Sequence, residues 1–128
     1  MTRGLNKVTL IGRLGRNPEM RYTPSGKPLT KLQLAANRSW TTADGEKKTE
    51  TEWFNIVAWG KLAEICNQYL KKGQQIYIEG RLHTRRWQDE EGINHSAVEV
   101  IAQEMIMLDG HPAEGEHNEP PAEEEYPF

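Results

Sequence analysis

The residues whose types could do chemistry are aromatic and basic. Trp40, Trp53, Trp59 and Trp87 are set among Arg38, Lys47, Lys48, Lys61, Arg81, Arg85 and Arg86. Burial is the ordinary use of an indole, a large apolar surface with one polar handle. Four indoles with Phe54, Tyr69 and Tyr77 overfill the interior of one small domain, so some of them must face outward. An outward row of indoles beside cations suits unpaired bases. Each stacked base contributes about 1–3 kcal/mol whatever its identity, and phosphate neutralisation adds a salt-dependent term. Bases within a duplex are shielded from such stacking, and that is the source of selectivity. The early cations Arg3, Lys7, Arg13 and Arg16 read as solvated charges or phosphate contacts. Arg85-Arg86-Trp87 is sharper, because strand alternation puts Arg85 and Trp87 on one face and Arg86 on the other.

Other chemistries find little support. The chain has no Gly-rich phosphate loop, no HExxH and one cysteine, Cys66, so no enzyme, metal site or cofactor is expected. Gly60-Lys61 is too slight for a phosphate loop. Cys66 reads as buried filler in a reducing compartment. No run reaches the ~18 apolar residues of a membrane span, and MTRGLNK leads into VTLIG rather than a secretory apolar stretch.

The formal charge of −3 conceals a segregation of sign. All 16 Lys and Arg lie from Arg3 to Arg86, and residues 1–88 hold seven acids, a balance of +9. Residues 89–128 hold twelve acids and no Lys or Arg, a balance of −12. A basic body with an acidic end points to a polyanion partner, and to a tail that competes with it or recruits something else.

The elements that must position these residues are mostly strands. Alternation predicts strands over residues 5–14, 29–37, 51–59, 74–87 and 95–108, with an irregularity near Ala102-Gln103. Trp53, Asn55, Val57 and Trp59 share one face of the third, with Phe54, Ile56 and Ala58 on the core side. Gly12 inside the first strand predicts a bend or a close backbone approach. Residues 15–26 read as a turn-rich connection. Asp44-Gly45 and the QDEEGIN stretch mark two exposed hairpin tips. Period 3.6 appears once, from Gly60, where Leu62, Ile65, Cys66, Tyr69 and Leu70 form a stripe, Lys71 and Lys72 follow and Gly73 is the stop. So short a helix must cover an opening in something larger. The order predicts an all-β OB-fold, a five-stranded Greek-key barrel with one helix between strands three and four. A β-sandwich is the rival. The barrel domain is placed at residues 1–109 and a disordered acidic tail at 110–128.

From Leu5 to Leu108 the sequence closely resembles bacterial-type single-stranded DNA-binding proteins. The stretches NKVTLIGRLGRNPEMRYTPSG, TEWFNIVAWGKLAEICNQYLKKGQQIYIEGRL and TRRW carry the likeness. The resemblance implies an OB-fold, a homotetramer, and sequence-independent binding of single-stranded DNA in replication, recombination and repair, in the cytoplasm and on the nucleoid. It implies that DNA stacks on Trp40, Trp53, Trp59 and Trp87, with basic contacts at Arg3, Lys7, Lys61, Lys72, Arg85 and Arg86. Position 59 is Phe in some relatives. Position 54, near a subunit contact, is often His, and Phe54 keeps the bulk without the polar atom. The final Glu123-Glu124-Glu125-Tyr126-Pro127-Phe128 resembles the family's acidic tip, which recruits replication and repair proteins. Relatives more often carry Asp-rich tips and Ile before Pro-Phe. The linker of about 14 residues between Leu108 and Glu123 is short for the family. From the residues alone, an adaptor whose main task is recruitment and an RNA-binding OB domain remain alternatives.

Overall fold

The computed structural model describes residues 3–109. Six strands and one helix follow in the order β1 (Val8–Leu14), β2 (Glu19–Tyr22), β3 (Pro28–Thr41), β4 (Lys47–Trp59), α1 (Gly60–Tyr69), β5 (Gln75–Gln88) and β6 (Asn94–Met107). Hydrogen bonding runs β1-β5-β6-β4-β3-β2, and a further β1–β3 pairing closes the sheet on itself. Five strands therefore form an OB-fold barrel, with α1 between the third and fourth of them, and no sandwich results. The pairings are antiparallel except β4 with β6, which meet in parallel at Ile56–Val100 and Val57–Ile101.

One short strand is additional to the expected five. β2 (EMRY) pairs with the start of β3 and lies outside the closed ring. It is joined to β3 by a tight turn of a kind that occurs three times among the described residues. Thr23–Lys27, Thr42–Glu46 and Asp89–Ile93 each open on Thr or Asp and carry Gly at the fourth position with φ of 90°, 84° and 82°. In each, the glycine N–H donates to the carbonyl of the first residue, and that residue's N–H donates to the carbonyl of the fifth. Glycine adopts this positive φ without the Cβ clash that other residues meet.

Inward side chains of the barrel strands, among them Leu32, Leu34, Ile56, Ile76, Ile78 and Val100, form the core. Fully burying each contributes about 1.5–3 kcal/mol. α1 covers one end with Ala63 and Cys66, and Leu70 just beyond it is also buried. Tyr69, expected in this stripe, is exposed, because the buried face of α1 runs through Ala63 and Cys66 to Leu70 and leaves Leu62, Ile65 and Tyr69 on its flank. Gly73 lies in the following turn rather than at the helix stop, with φ of 90°. The Thr30 hydroxyl, fully buried, donates to the Ala63 carbonyl at 2.7 Å and ties the helix to β3.

Close backbone approach explains two interior glycines. A Cβ on Gly12 would collide with the Ala35 carbonyl where β1 meets β3, and one on Gly80 would collide with the Ile101 carbonyl. The β5–β6 register slips at Glu79/Gly80, leaving Gln103 unpaired at the expected irregularity. Past these points β3–β4 and β5–β6 continue as two-stranded arms whose residues are largely exposed.

Candidate functional site

All four indoles stand outside the core. Trp53 and Trp59 are 53% and 36% exposed on the outer face of β4, while Trp40 and Trp87 are 38% and 41% exposed on the two arms. Val57, between the first two, is buried. Trp53 lies against the chain at Gly15, where a Cβ would stand 2.5 Å from its Cζ3. A side chain at position 15 would push the ring away.

The indoles do not form one row. Register along β3–β4 is unbroken, with Ala35 opposite Trp53 and Trp40 opposite Lys48. Even-numbered β3 residues line the barrel, so Trp40 continues that side onto the arm while Trp53 occupies the other. A ligand touching both must pass around the β3–β4 ribbon.

Three indoles carry a cation. Lys27 Nζ lies 5.1 Å from the Trp59 ring, Arg38 Cζ 4.3 Å from Trp40 and Arg85 Cζ 4.4 Å from Trp87. Such contacts contribute about 0.5–1 kcal/mol at exposed sites. Trp87 also stacks on His95, with centroids 5.3 Å apart and planes 19° apart. Between the outer face of β4 and the β5–β6 arm lies a depression of about 230 Å³, lined in part by Arg16, Lys31, Asn55, Val57, Arg85 and Glu99.

The remaining basic candidates are dispersed. Arg86 is exposed beside Trp87, on the opposite face of the arm. Lys61 is exposed in the first turn of α1, two residues past Trp59. Lys72 is exposed beyond the helix, where its backbone N–H donates to Asn17 Oδ1 at 2.9 Å. Lys7 is engaged elsewhere, with Nζ 3.3 Å from Glu79 Oε2. The Tyr77 hydroxyl first, then Lys7, hold the Glu79 carboxyl below its ordinary value. Arg3 is exposed. Among the described residues, the cations on indole faces are thus Lys27, Arg38 and Arg85.

Sequence reasoning did not single out Lys27, which has no local signal, since the β2–β3 turn brings it to Trp59. Arg38 had one: like Arg85, it stands two residues before a tryptophan on a strand. Phe54 is partly buried and packs on the core. Among the described residues, no group of three His, Cys, Asp or Glu side chains is placed to hold a metal ion, and no helix is long and apolar enough to cross a membrane.

The model of the single-strand binding protein family matches residues 5–108. The chain belongs to this family. It is 52% identical over 109 residues to single-stranded DNA-binding protein 1 of Chlorobaculum tepidum, covering 84% of this chain and 67% of that one. A single-stranded DNA-binding protein of Neisseria meningitidis is 48% identical over 106 residues, 83% of this chain and 61% of its own length. Among solved structures, a Plasmodium falciparum SSB complex with ssDNA superposes with a TM-score of 0.76 at 32% identity, covering 85% of this chain and 99% of that one. A deletion mutant of the single-stranded DNA binding protein from Thermus aquaticus gives 0.74 at 39% identity, covering 86% and 53%. The expected acidic tail, residues 110–128 with its tip Glu123–Phe128, lies outside the described residues.

Proposed function

We propose that this chain binds single-stranded DNA without sequence preference and protects it during replication, recombination and repair. The observation that carries the reading is the exposure of all four indoles, three beside a cation, on an OB barrel of the single-strand binding family. Bases stack on Trp40, Trp53, Trp59 and Trp87, and phosphates meet neighbouring cations such as Lys61 and Arg86, with Arg3 and Lys72 extending the path. The two-sided placement of Trp40 and Trp53 favours a strand that wraps the β3–β4 arm. Relatives named as single-stranded DNA-binding proteins, and a solved relative complexed with ssDNA, support the polymer.

The same reading takes the chain as a homotetramer and its tip, Glu123–Phe128, as the docking segment for replication and repair proteins. Exposed apolar side chains such as Ile106 on β6 are available for subunit contacts. Phe128 suits an apolar pocket ringed by basic groups that meet its carboxylate and the neighbouring Glu residues.

A fluorescence titration with poly-dT and with matched duplex at two salt concentrations, beside light scattering, tests this. Indole quenching by poly-dT alone, weakening with salt, on a particle four times the chain mass is expected. Equal affinity for duplex overturns the stacking mechanism, and stronger binding to poly-U makes RNA the ligand. Removing Glu123–Phe128 abolishes partner capture and leaves or strengthens DNA binding.

A further inference from the structure

Trp40 and Trp87 sit in the same three-part arrangement on two different arms. Arg38 lies over Trp40, and its Nε donates to Glu50 Oε1 on the facing strand at 3.2 Å. Arg85 lies over Trp87, and its Nε donates to Glu99 Oε1 on the facing strand at 3.5 Å. In both, arginine stands two residues before the indole and the carboxylate comes from across the ribbon. Lys27 over Trp59 has no ion-pair partner among the described residues, so a carboxylate is not a general accompaniment of a cation on an indole.

A guanidinium whose Cζ lies over an indole and whose Nε is engaged by a carboxylate is restrained from following a phosphate. We propose that Glu50 and Glu99 are positioning residues that hold Arg38 and Arg85 over Trp40 and Trp87. These arginines then back the stacking surface instead of neutralising phosphate, and the chain grips single strands less tightly than its cation count allows. The inference rests on the single-strand-binding reading above. Glu99 is the stronger of the two. Its side chain is 11% exposed against 52% for Glu50, and a pair shielded from water is screened less by salt, while an exposed pair contributes little. That outweighs its longer contact.

The test is the salt dependence of oligo-dT binding by the full chain and by Glu99→Gln, Arg85→Gln and the double variant. One phosphate contact on a single strand adds about −0.7 to the slope of log K against log salt. Glu99→Gln frees Arg85 for one such contact. Its slope is therefore steeper by about 0.7, with affinity up about eight-fold at 0.05 M salt and about three-fold at 0.2 M. With Arg85 already replaced, Glu99→Gln leaves the slope where it was. Glu50→Gln shows the same sign and a smaller change. An unchanged slope in Glu99→Gln overturns the proposal, as does an equal change in both backgrounds, which makes Glu99 a bulk charge only. If Glu99→Gln fails to fold, Arg85→Gln decides: an unaltered slope supports the proposal, and one shallower by about 0.7 overturns it. Failure of the unmodified chain to bind oligo-dT sinks the functional reading itself, a different result.

Discussion

The two arms are built alike and held differently. Each is a twisted hairpin closed by the same five-residue turn, and each carries an exposed tryptophan with an arginine two residues before it. On the β3–β4 arm the set ends there, with Arg38 on one indole and paired with a half-exposed Glu50. On the β5–β6 arm it continues: Trp87 also stacks on His95, and His95 Nε2 lies 2.9 Å from Asp89 Oδ2 at the tip. Trp87 is thus fixed from two neighbours and Trp40 from one. A fixed platform loses less conformational freedom on binding and returns more of its stacking energy.

The largest expected effect follows from that difference. Trp87→Ala weakens oligo-dT binding by about 2–3 kcal/mol and Trp40→Ala by about 1 kcal/mol, within the range for one base on one aromatic. Both keep the Tm of the parent chain, because neither ring belongs to the core. Titrations at one fixed salt concentration check this, and a greater loss at Trp40 would invert the ranking of the arms.

Gly15→Ala comes next and acts where the β3–β4 arm leaves the barrel. The added methyl would meet Trp53 at Cζ3 and Cη2 and turn the ring off its seat. The site is a side-chain contact with no positive φ, so the fold is kept and the indole is displaced. Affinity falls by about 1 kcal/mol, less than the full stacking contribution that Trp53→Ala removes. Equal losses in the two variants would mean that Trp53 has no second productive position.

Much of this was legible in the sequence because the barrel is written in alternation. The core faces of β1, β3 and β4, the single helix, both arm tips and the irregularity at Gln103 follow from period and turn chemistry. β2 was not legible by periodicity, since Met20 and Tyr22 alternate with Glu19 and Arg21 over only four residues, too short a run among turn signals to stand out. Its turn, TPSGK, has the spacing of TADGE and DEEGI, and that comparison would have revealed it. Leu82 continues the inward phase of β5 yet is exposed, because the arm outruns the barrel and period cannot say where a core ends. For the site, alternation joined Arg85 to Trp87, but nothing local could announce Lys27 over Trp59 or a carboxylate from the facing strand. The opposite siding of Trp40 and Trp53 needed the register across the ribbon.

The smallest effect separates the tips by acid. Asp89 accepts from His95 and, through Oδ1, from the N–H groups of Glu91 and Ile93 at 2.9 Å each. His95 first, then the Ile93 N–H, hold its carboxyl below the ordinary 3.8. A lowered folded-state value stabilises the folded tip fully above the unfolded value, and the contribution is lost as pH falls through the lower one. At the other tip the corresponding acceptor is the Thr42 hydroxyl, which receives the Glu46 N–H at 3.1 Å and does not ionise in this range. Acidification below 3.8 therefore loosens His95 from Trp87 while the Thr42–Glu46 turn keeps its closure. Amide and indole resonances of Gly92 and Trp87 should move together with pH, and the Gly26 amide, in the carboxylate-free Thr23–Lys27 turn where the Thr23 hydroxyl receives the Lys27 N–H, should not follow them. Asp89→Asn should remove that joint transition, and its survival in this variant would place the titrating group elsewhere on the arm.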